Sequence, residues 1–306
     1  MVKVFGHLSP DTDATCSAII WAWYLNEHTA HKAKPFVLGE LNSETSFVLN
    51  RFGFATPELL GELNPGDEVV VVDTNNPQEL PTNINETTLL QLIDHHKLVG
   101  GLTTDSPADI TVRPLACTAT ILYDLIQSAG VTIPSDVAGL MLSAILSDTL
   151  AFRSPTTTPH DKDVAEKLAA VVGIDHLAYA DEMFAAKSDI SSFTDSGLIK
   201  LDSKKYEVGD KNFRVSVLET TTPATVLERQ DGIIKAIKNC VAEEGDIDDV
   251  LFFIIDILRE EATVLTYSDL AKQVIASSFG VSVTNDTEVL PGIVSRKKQI
   301  LPALKL

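Results

Sequence analysis

The stretch Glu68-Val69-Val70-Val71-Val72-Asp73 decides the fold. Four consecutive valines leave no polar alternation, so a strand built from them is covered on both faces, the condition of a parallel sheet in an α/β domain. The strand then ends on a carboxylate, and a charge inside a sheet needs a partner to offset its desolvation. A second apolar stretch, residues 89–93, ends the same way, in Asp94-His95-His96. Open α/β sheets gather ligand-binding side chains at such strand ends.

Working outward, strands are expected over residues 2–6, 35–38, 68–72 and 89–93, separated by helices over 14–27 and 43–52. Right-handed crossovers follow, with helices on both faces of the sheet. Helical patterns then dominate, over 117–127, 135–146 with Ser135 as N-cap, 160–171 and 174–186. The polar turn formers of residues 187–196 read as a linker. Beyond them the pattern predicts strands over 197–201, 206–208 and 213–218, a helix over 224–243, strands over 250–255 and 264–267, a helix over 268–277 and a hairpin-like end. The expected architecture is an N-terminal α/β domain over 1–187, a linker over 188–196 and a smaller α+β domain over 197–306.

Composition narrows the function. The 306 residues hold 24 Lys plus Arg against 43 Asp plus Glu, a formal charge of −19, with no basic run of five. A general nucleic-acid binder needs a cationic footprint, so that class is disfavoured. A small, highly charged anion fits if metal ions and a few local cations supply the attraction. The longest apolar run is too short to span a bilayer. Cys16, Cys117 and Cys240 are odd in number and form no CxxC pair, which points to a reduced, cytoplasmic protein with thiols that serve as small buried hydrophobes. The chain opens directly into a strand pattern, without the features of a signal peptide.

The chemistry gathers in His7-x3-Asp11-x-Asp13, Asp73, Asp94-His95-His96 and Asp148. With seven histidines in the chain, an adjacent pair is expected on the order of 0.1 times by composition, so His95-His96 is the most specific local signal. His28, His31, His160 and His176 have no such neighbours and read as solvent-facing. Asp148 ends an apolar helix, where its charge has the wrong sign for the helix dipole and calls for a cation. Six hard donors, His7, Asp11, Asp13, Asp73, His95 and Asp148, exceed what one ion needs and suggest two metals that share carboxylates and activate water against a phosphate ester or anhydride. Oxygen and nitrogen donors without thiolate favour Mn²⁺, Co²⁺ or Mg²⁺ over a structural zinc. Asp94 is expected behind the ligands, orienting an imidazole.

These residues resemble the DHH phosphoesterase superfamily, and within it the manganese-dependent, family II inorganic pyrophosphatases. The resemblance runs through Gly6-His7-x3-Asp11-Thr12-Asp13-x3-Ser17-Ala18, Leu38-Gly39-x2-Asn42-x-Glu44-Thr45, Val72-Asp73, Asp94-His95-His96, Leu146-Ser147-Asp148-Thr149, Ser154-Pro155-Thr156 and Ser295-Arg296-Lys297-Lys298-Gln299. Relatives that cleave short oligonucleotides or cyclic dinucleotides carry a Gly-Gly-Gly-His signature, which is missing here. The resemblance implies that His7 and Asp11 hold one metal, Asp13 and His95 a second, and that Asp73 and Asp148 touch both. It implies that His96, Lys204, Arg296 and Lys297 act on the substrate, with Lys205 one residue from Lys204. It further implies two Mn²⁺, with Co²⁺ as an alternative, and Mg²⁺ arriving with pyrophosphate. A five-stranded parallel sheet, a homodimer through the N-terminal domain and a C-terminal lid that completes the site complete the implied picture. Many members have Asp-His-Asn where this chain has Asp73-Thr74-Asn75. The rivals are an exopolyphosphatase-like hydrolase of the same superfamily and a non-catalytic phosphate or nucleotide sensor.

Overall fold

The computed structural model describes residues 1–306 apart from Ser192 and the side chains of Lys297 and Lys298, and it divides into two compact units, 1–186 and 187–306. In the first, strands and helices alternate as β1 (Val2–Phe5), α1 (Thr12–His28), β2 (Ala33–Val37), α2 (Ser43–Phe52), β3 (Glu58–Leu59), β4 (Glu68–Val72), β5 (Thr88–Asp94) and β6 (Asp109–Val112). Four helices follow: α3 (Thr118–Ser128), α4 (Ser135–Asp148), α5 (Pro159–Val172) and α6 (His176–Lys187). The sheet is wholly parallel in the order β3-β2-β1-β4-β5-β6, six strands where the resemblance implies five. Two of them, β3 and β6, are not among the strands expected from the sequence; both are short, and β3 is two exposed residues with no apolar pattern to read.

The two sheet faces are covered differently. Helix α1 packs on β1, β2 and β4, and α3 packs on β5. The core under Phe5, Val69, Val71, Leu89 and Leu92 contains no α-helical residue and is closed by Leu63, Leu80 and Ile84. On this face the helices are short: the connection over residues 73–87 forms two 3₁₀ helices, Pro77–Glu79 and Ile84–Glu86, because Pro77 and Pro81 prevent a continuous helix. Ser135 is the first residue of α4 rather than its cap, which is Pro134.

The second unit comprises α7 (Asp195–Leu201), β7 (Ser203–Val208), β8 (Lys211–Thr220), α8 (Pro223–Leu227), α9 (Gln230–Glu244), β9 (Asp249–Asp256), β10 (Glu261–Leu265), α10 (Asp269–Phe279), β11 (Thr287–Pro291), a π turn (Arg296–Ile300) and α11 (Leu301–Ala303). Residues 197–201, expected as a strand, are helical, started by Thr194, whose hydroxyl accepts the Gly197 N–H. The expected helix over 224–243 is two helices, α8 and α9. After β11 the chain ends in the π and α turns rather than a hairpin of its own. The mixed sheet runs β11-β10-β9-β8-β7, and β9 at its centre is buried at all eight positions, which explains the unbroken apolar run. The stretch expected as a linker packs on this unit: Ile190 enters its core, and Arg229 donates to the Ile190 and Phe193 carbonyls.

Candidate metal centre

The first loop is shaped by close approach. A Cβ on Gly6 would fall 2.7 Å from the Ala14 Cβ, so only glycine lets the end of β1 run this near α1. His7 follows, donates Nδ1–H to the Leu8 carbonyl at 2.9 Å, and so turns Nε2 toward Asp11 Oδ2 and Asp73 Oδ2, each at 3.5 Å. Asp11 is the N-cap of α1: Oδ1 accepts the Ala14 N–H, leaving Oδ2 for the cluster. Asp13, fully buried, accepts from Ser17 Oγ at 2.8 Å and from the Thr118 and Ala119 N–H groups at 2.6 and 3.1 Å. It thereby caps α3, whose own N-cap residue, Cys117, makes no side-chain capping bond.

Asp73 lies at the centre. Its left-handed backbone, φ 62°, turns the chain sharply after β4, and its N–H bonds the Ile93 carbonyl. One carboxylate oxygen then stands 3.3 Å from His95 Nε2 and the other 3.5 Å from His7 Nε2. His95 has Nδ1 at 3.1 Å from the Leu115 carbonyl and Nε2 at 3.9 Å from Asp148 Oδ2. Asp148 is the last residue of α4 and is followed by three left-handed residues, Leu150, Ala151 and Phe152, a concentration of strain of the kind found beside functional groups. His96 stands at the rim, half exposed, with Nδ1 on Asp94 Oδ1 at 2.9 Å. Thr74 donates to the Glu79 carboxylate, and the Glu79 carbonyl accepts the Leu8 N–H, so the residue that departs from Asp-His-Asn braces the His7 loop.

The six expected ligands and His96 are thus brought together. Their donor atoms form three groups, His7-Asp11-Asp73 and Asp73-His95-His96, which share Asp73, and Asp13-Cys117-Asp148, each within 4.8 Å. Cys117 is a buried hydrophobe in the sense expected, yet its sulfur lies among carboxylates, and burial pushes its thiol well up. Of the other histidines, His28 and His31 are exposed, whereas His160 pairs with Asp124 at 2.9 Å and His176 packs on Phe152.

Charge in the cluster is unbalanced. Burial followed by repulsion from Asp73 pushes Asp13 up to about 7, and burial followed by repulsion from Asp13 and Asp73 raises Asp148 well above the carboxylate range. Burial would lower His7, but the bonds and charges of Asp11 and Asp73 outweigh it and hold His7 at about 11. His95 follows the same logic through Asp73 and Asp13, at about 9. Burial raises Asp73, yet His7 and His95 together pull it below the ordinary range. Both His7 and His95 give their Nδ1 proton to a backbone carbonyl, which turns Nε2 toward the carboxylates, where it holds a proton or, in its place, a metal ion. Such a set is orderly only around cations, and it is the arrangement that metal-binding histidines show. The donors fit hard divalent ions.

In the second unit, strand alternation separates the two candidate lysines. Lys205 pairs with Asp246 at 2.6 Å and Glu244 at 3.0 Å. Lys204 is exposed and has no ion pair or hydrogen bond among the described residues; it shares a sheet face with Tyr206 and Val208, against which Ile300 of the π turn packs. Arg296 begins that turn. Lys297, the other expected cation, has its side chain outside the described residues.

Family models match over two regions: the N-terminal domain of the DHH family over residues 1–145 and the DHHA2 domain over 181–306. A manganese-dependent inorganic pyrophosphatase of Deinococcus radiodurans is 41% identical, covering 100% of this chain and 98% of its own. One from Bacillus licheniformis is 38% identical over 99% and 97%. The chain belongs to the manganese-dependent, family II inorganic pyrophosphatases. A solved family II structure from Methanococcus jannaschii has 34% identity and a TM-score of 0.65, covering 99% of this chain and 98% of its own.

Three residues of this family member escape a reading of motifs alone. Thr118 donates its hydroxyl to Asp73 and its N–H to Asp13. Glu44, quoted only as part of a pattern, accepts from Thr12 and Ser147, the neighbours of Asp13 and Asp148. Asp161 accepts from Ala116 and Thr120 and so fixes the loop that offers the Leu115 carbonyl to His95. The one sequence signal for Thr118 is a helix start with Cys117 where a capping side chain is usual.

Proposed function

We propose that this protein hydrolyses inorganic pyrophosphate to two phosphates, using two Mn²⁺ ions held by His7, Asp11, Asp13, Asp73, His95 and Asp148. The observation that carries this reading is Asp73, with one carboxylate oxygen toward His7 and the other toward His95, the position of a group shared by two ions. When bound, divalent ions supply an activated water and neutralise charge on the phosphates.

The protein's own groups do the rest. His96 keeps Nδ1 on Asp94 and has Nε2 for a phosphate oxygen; the Asp94 bond raises its pKa, which favours the protonated ring as a donor. Lys204 supplies a point charge, Arg296 a planar fork suited to phosphate, and Lys297 a third cation. Substrate arrives as its magnesium complex. We place Asp11 and His7 on one ion and Asp13 and His95 on the other, with Co²⁺ as a substitute for Mn²⁺. A homodimer through the first unit is supported by β6, an edge strand with Ile110 exposed at 59%. Three free, buried cysteines support a reducing cytoplasm as its location, and no helix among the described residues is long and apolar enough to cross a membrane.

One panel tests the reading. Metal-stripped protein is reloaded with Mn²⁺, Co²⁺, Mg²⁺ or Zn²⁺ and offered pyrophosphate, tripolyphosphate, long polyphosphate and a dinucleotide. Mn²⁺ with pyrophosphate is expected to be fastest. Faster release from long polyphosphate would favour the exopolyphosphatase-like rival, and absence of turnover with every metal the sensor.

A further inference from the structure

Arg296 is paired in a way that its proposed task does not require. Its side chain is 10% exposed, and Nη1 lies 2.8 Å from Asp202 Oδ1, whereas the Asp202 side chain is 58% exposed. The approach gives charge contact without hydrogen-bond alignment: Nε and Nη1 are both buried and make no hydrogen bond among the described residues. A guanidinium in this condition is an anion site with an imperfect occupant, because a buried donor left unpaired is costly and a fork of donors is matched by two oxygens, not one. Asp202 is also free to leave. It caps the C-terminal end of α7, is held by its backbone through the bond from the Val217 N–H to its carbonyl, and its carboxylate loses little on returning to water. Lys204 follows two residues later, on the sheet face that the Arg296 turn covers.

We propose that Asp202 is an internal competitor for the phosphate site, holding Arg296 until a phosphate group displaces it and thereby setting substrate and product affinity. The inference rests on the reading of Arg296 as a phosphate-binding residue. A phosphate oxygen can accept an aligned hydrogen bond from Nη1 where Asp202 Oδ1 does not, so exchange of Asp202 for phosphate exchanges a misaligned contact for an aligned one. The carboxylate raises the apparent dissociation constant in inverse proportion to the fraction of molecules it leaves free.

Asp202→Asn keeps the side-chain shape and removes its charge. Expected for the full-length, Mn²⁺-loaded enzyme is a fall of about three- to tenfold in KM for magnesium pyrophosphate and in the inhibition constant of inorganic phosphate. kcat should hold or fall as product leaves more slowly, and Asp202→Glu should keep wild-type constants. In an Arg296→Lys background, Asp202→Asn should have a smaller effect than in wild type, since the competitor's main partner has changed. The outcomes separate cleanly. If Arg296→Ala leaves KM and phosphate inhibition unchanged, the reading of Arg296 fails. If Arg296→Ala weakens both while Asp202→Asn leaves them unchanged or weakens them further, the competitor is overturned and Asp202 is a residue that positions the arginine. A melting temperature within a degree or two of wild type for Asp202→Asn excludes misfolding as the cause of either result.

Discussion

The Thr118 hydroxyl donates to Asp73 Oδ1 at 3.0 Å while its backbone N–H donates to Asp13 Oδ2 at 2.6 Å. A single residue at the start of α3 therefore fixes one carboxylate through a side chain and a second through the helix terminus.

Thr118→Val separates these roles, because it removes the hydroxyl and keeps the N–H. Hydrogen bonds behind ligands typically carry 10- to 100-fold in metal affinity, so Mn²⁺ binding should weaken by about that factor, and Thr118→Ser should restore it. Titration of metal-stripped protein with Mn²⁺, read by calorimetry, decides. Wild-type affinity in the valine variant would show that Asp73 needs no such support.

Asp73→Ala and Asp148→Ala should lower bound Mn²⁺ together with activity, since each removes a carboxylate proposed to touch both ions. His96→Gln should retain the metal and lose turnover. Metal content by mass spectrometry separates the two behaviours: full occupancy in both alanine variants would contradict the shared-ligand assignment.

The first sheet was legible because Val69 to Val72 and residues 89–93 announce buried parallel strands, and because Asp73 and Asp94-His95-His96 end them. What the sequence hides is held by contacts between distant residues. Asp13 caps a helix more than a hundred positions away, and the α3 start shows only a Cys where a cap belongs. Residues 197–201 look like a strand, yet Leu198 and Ile199 are both buried against the second core, and Thr194 starts a helix that alternation cannot reveal. The break between α8 and α9 falls within a continuous helical pattern, at residues 228–229, where Arg229 turns its guanidinium to Asp195 and two backbone carbonyls.

Gly139 sits inside α4, where helix propensity alone favours alanine by about 1 kcal/mol. The Phe52 ring lies against it, however, and a Cβ there would meet ring atoms at 2.3 Å. Forcing a methyl into this contact costs about 1 to 3 kcal/mol, so Gly139→Ala should destabilise the protein. Phe52→Leu in the same chain should recover part of the loss. Denaturant midpoints with unchanged slope are the readout, and a midpoint that rises in Gly139→Ala refutes the packing argument.

Glu244 supplies the pH dependence of the second unit. The Arg214 guanidinium, at 2.6 Å, followed by Lys205, holds its carboxyl down at about 2 against an ordinary value of 4.5. A depressed carboxylate contributes stability that is complete above its unfolded pKa and is lost as pH falls through the folded one, so the loss lies between about 4.5 and 2. Glu244→Gln should lower stability at neutral pH and flatten the acid limb in that window. Parallel curves for wild type and variant from pH 5 to 2 would remove Glu244 from the account.

The two neighbouring lysines should behave differently for a reason visible in their partners. Lys205 is committed to Asp246 and Glu244, so Lys205→Ala should lower stability slightly, as expected for an exposed pair, with little effect on catalysis. Lys204 has no such commitment among the described residues and lies on the sheet face covered by the Arg296 turn. Lys204→Ala should leave melting and Mn²⁺ content unchanged and raise KM for magnesium pyrophosphate, with a loss in kcat/KM on the order of 10² if the site is dry when substrate is bound. Lys204→Arg should restore part of the affinity because the charge returns. The opposite pattern, with Lys205→Ala impairing catalysis and Lys204→Ala silent, would make Lys205 the substrate lysine, released from Asp246 and Glu244 when substrate binds.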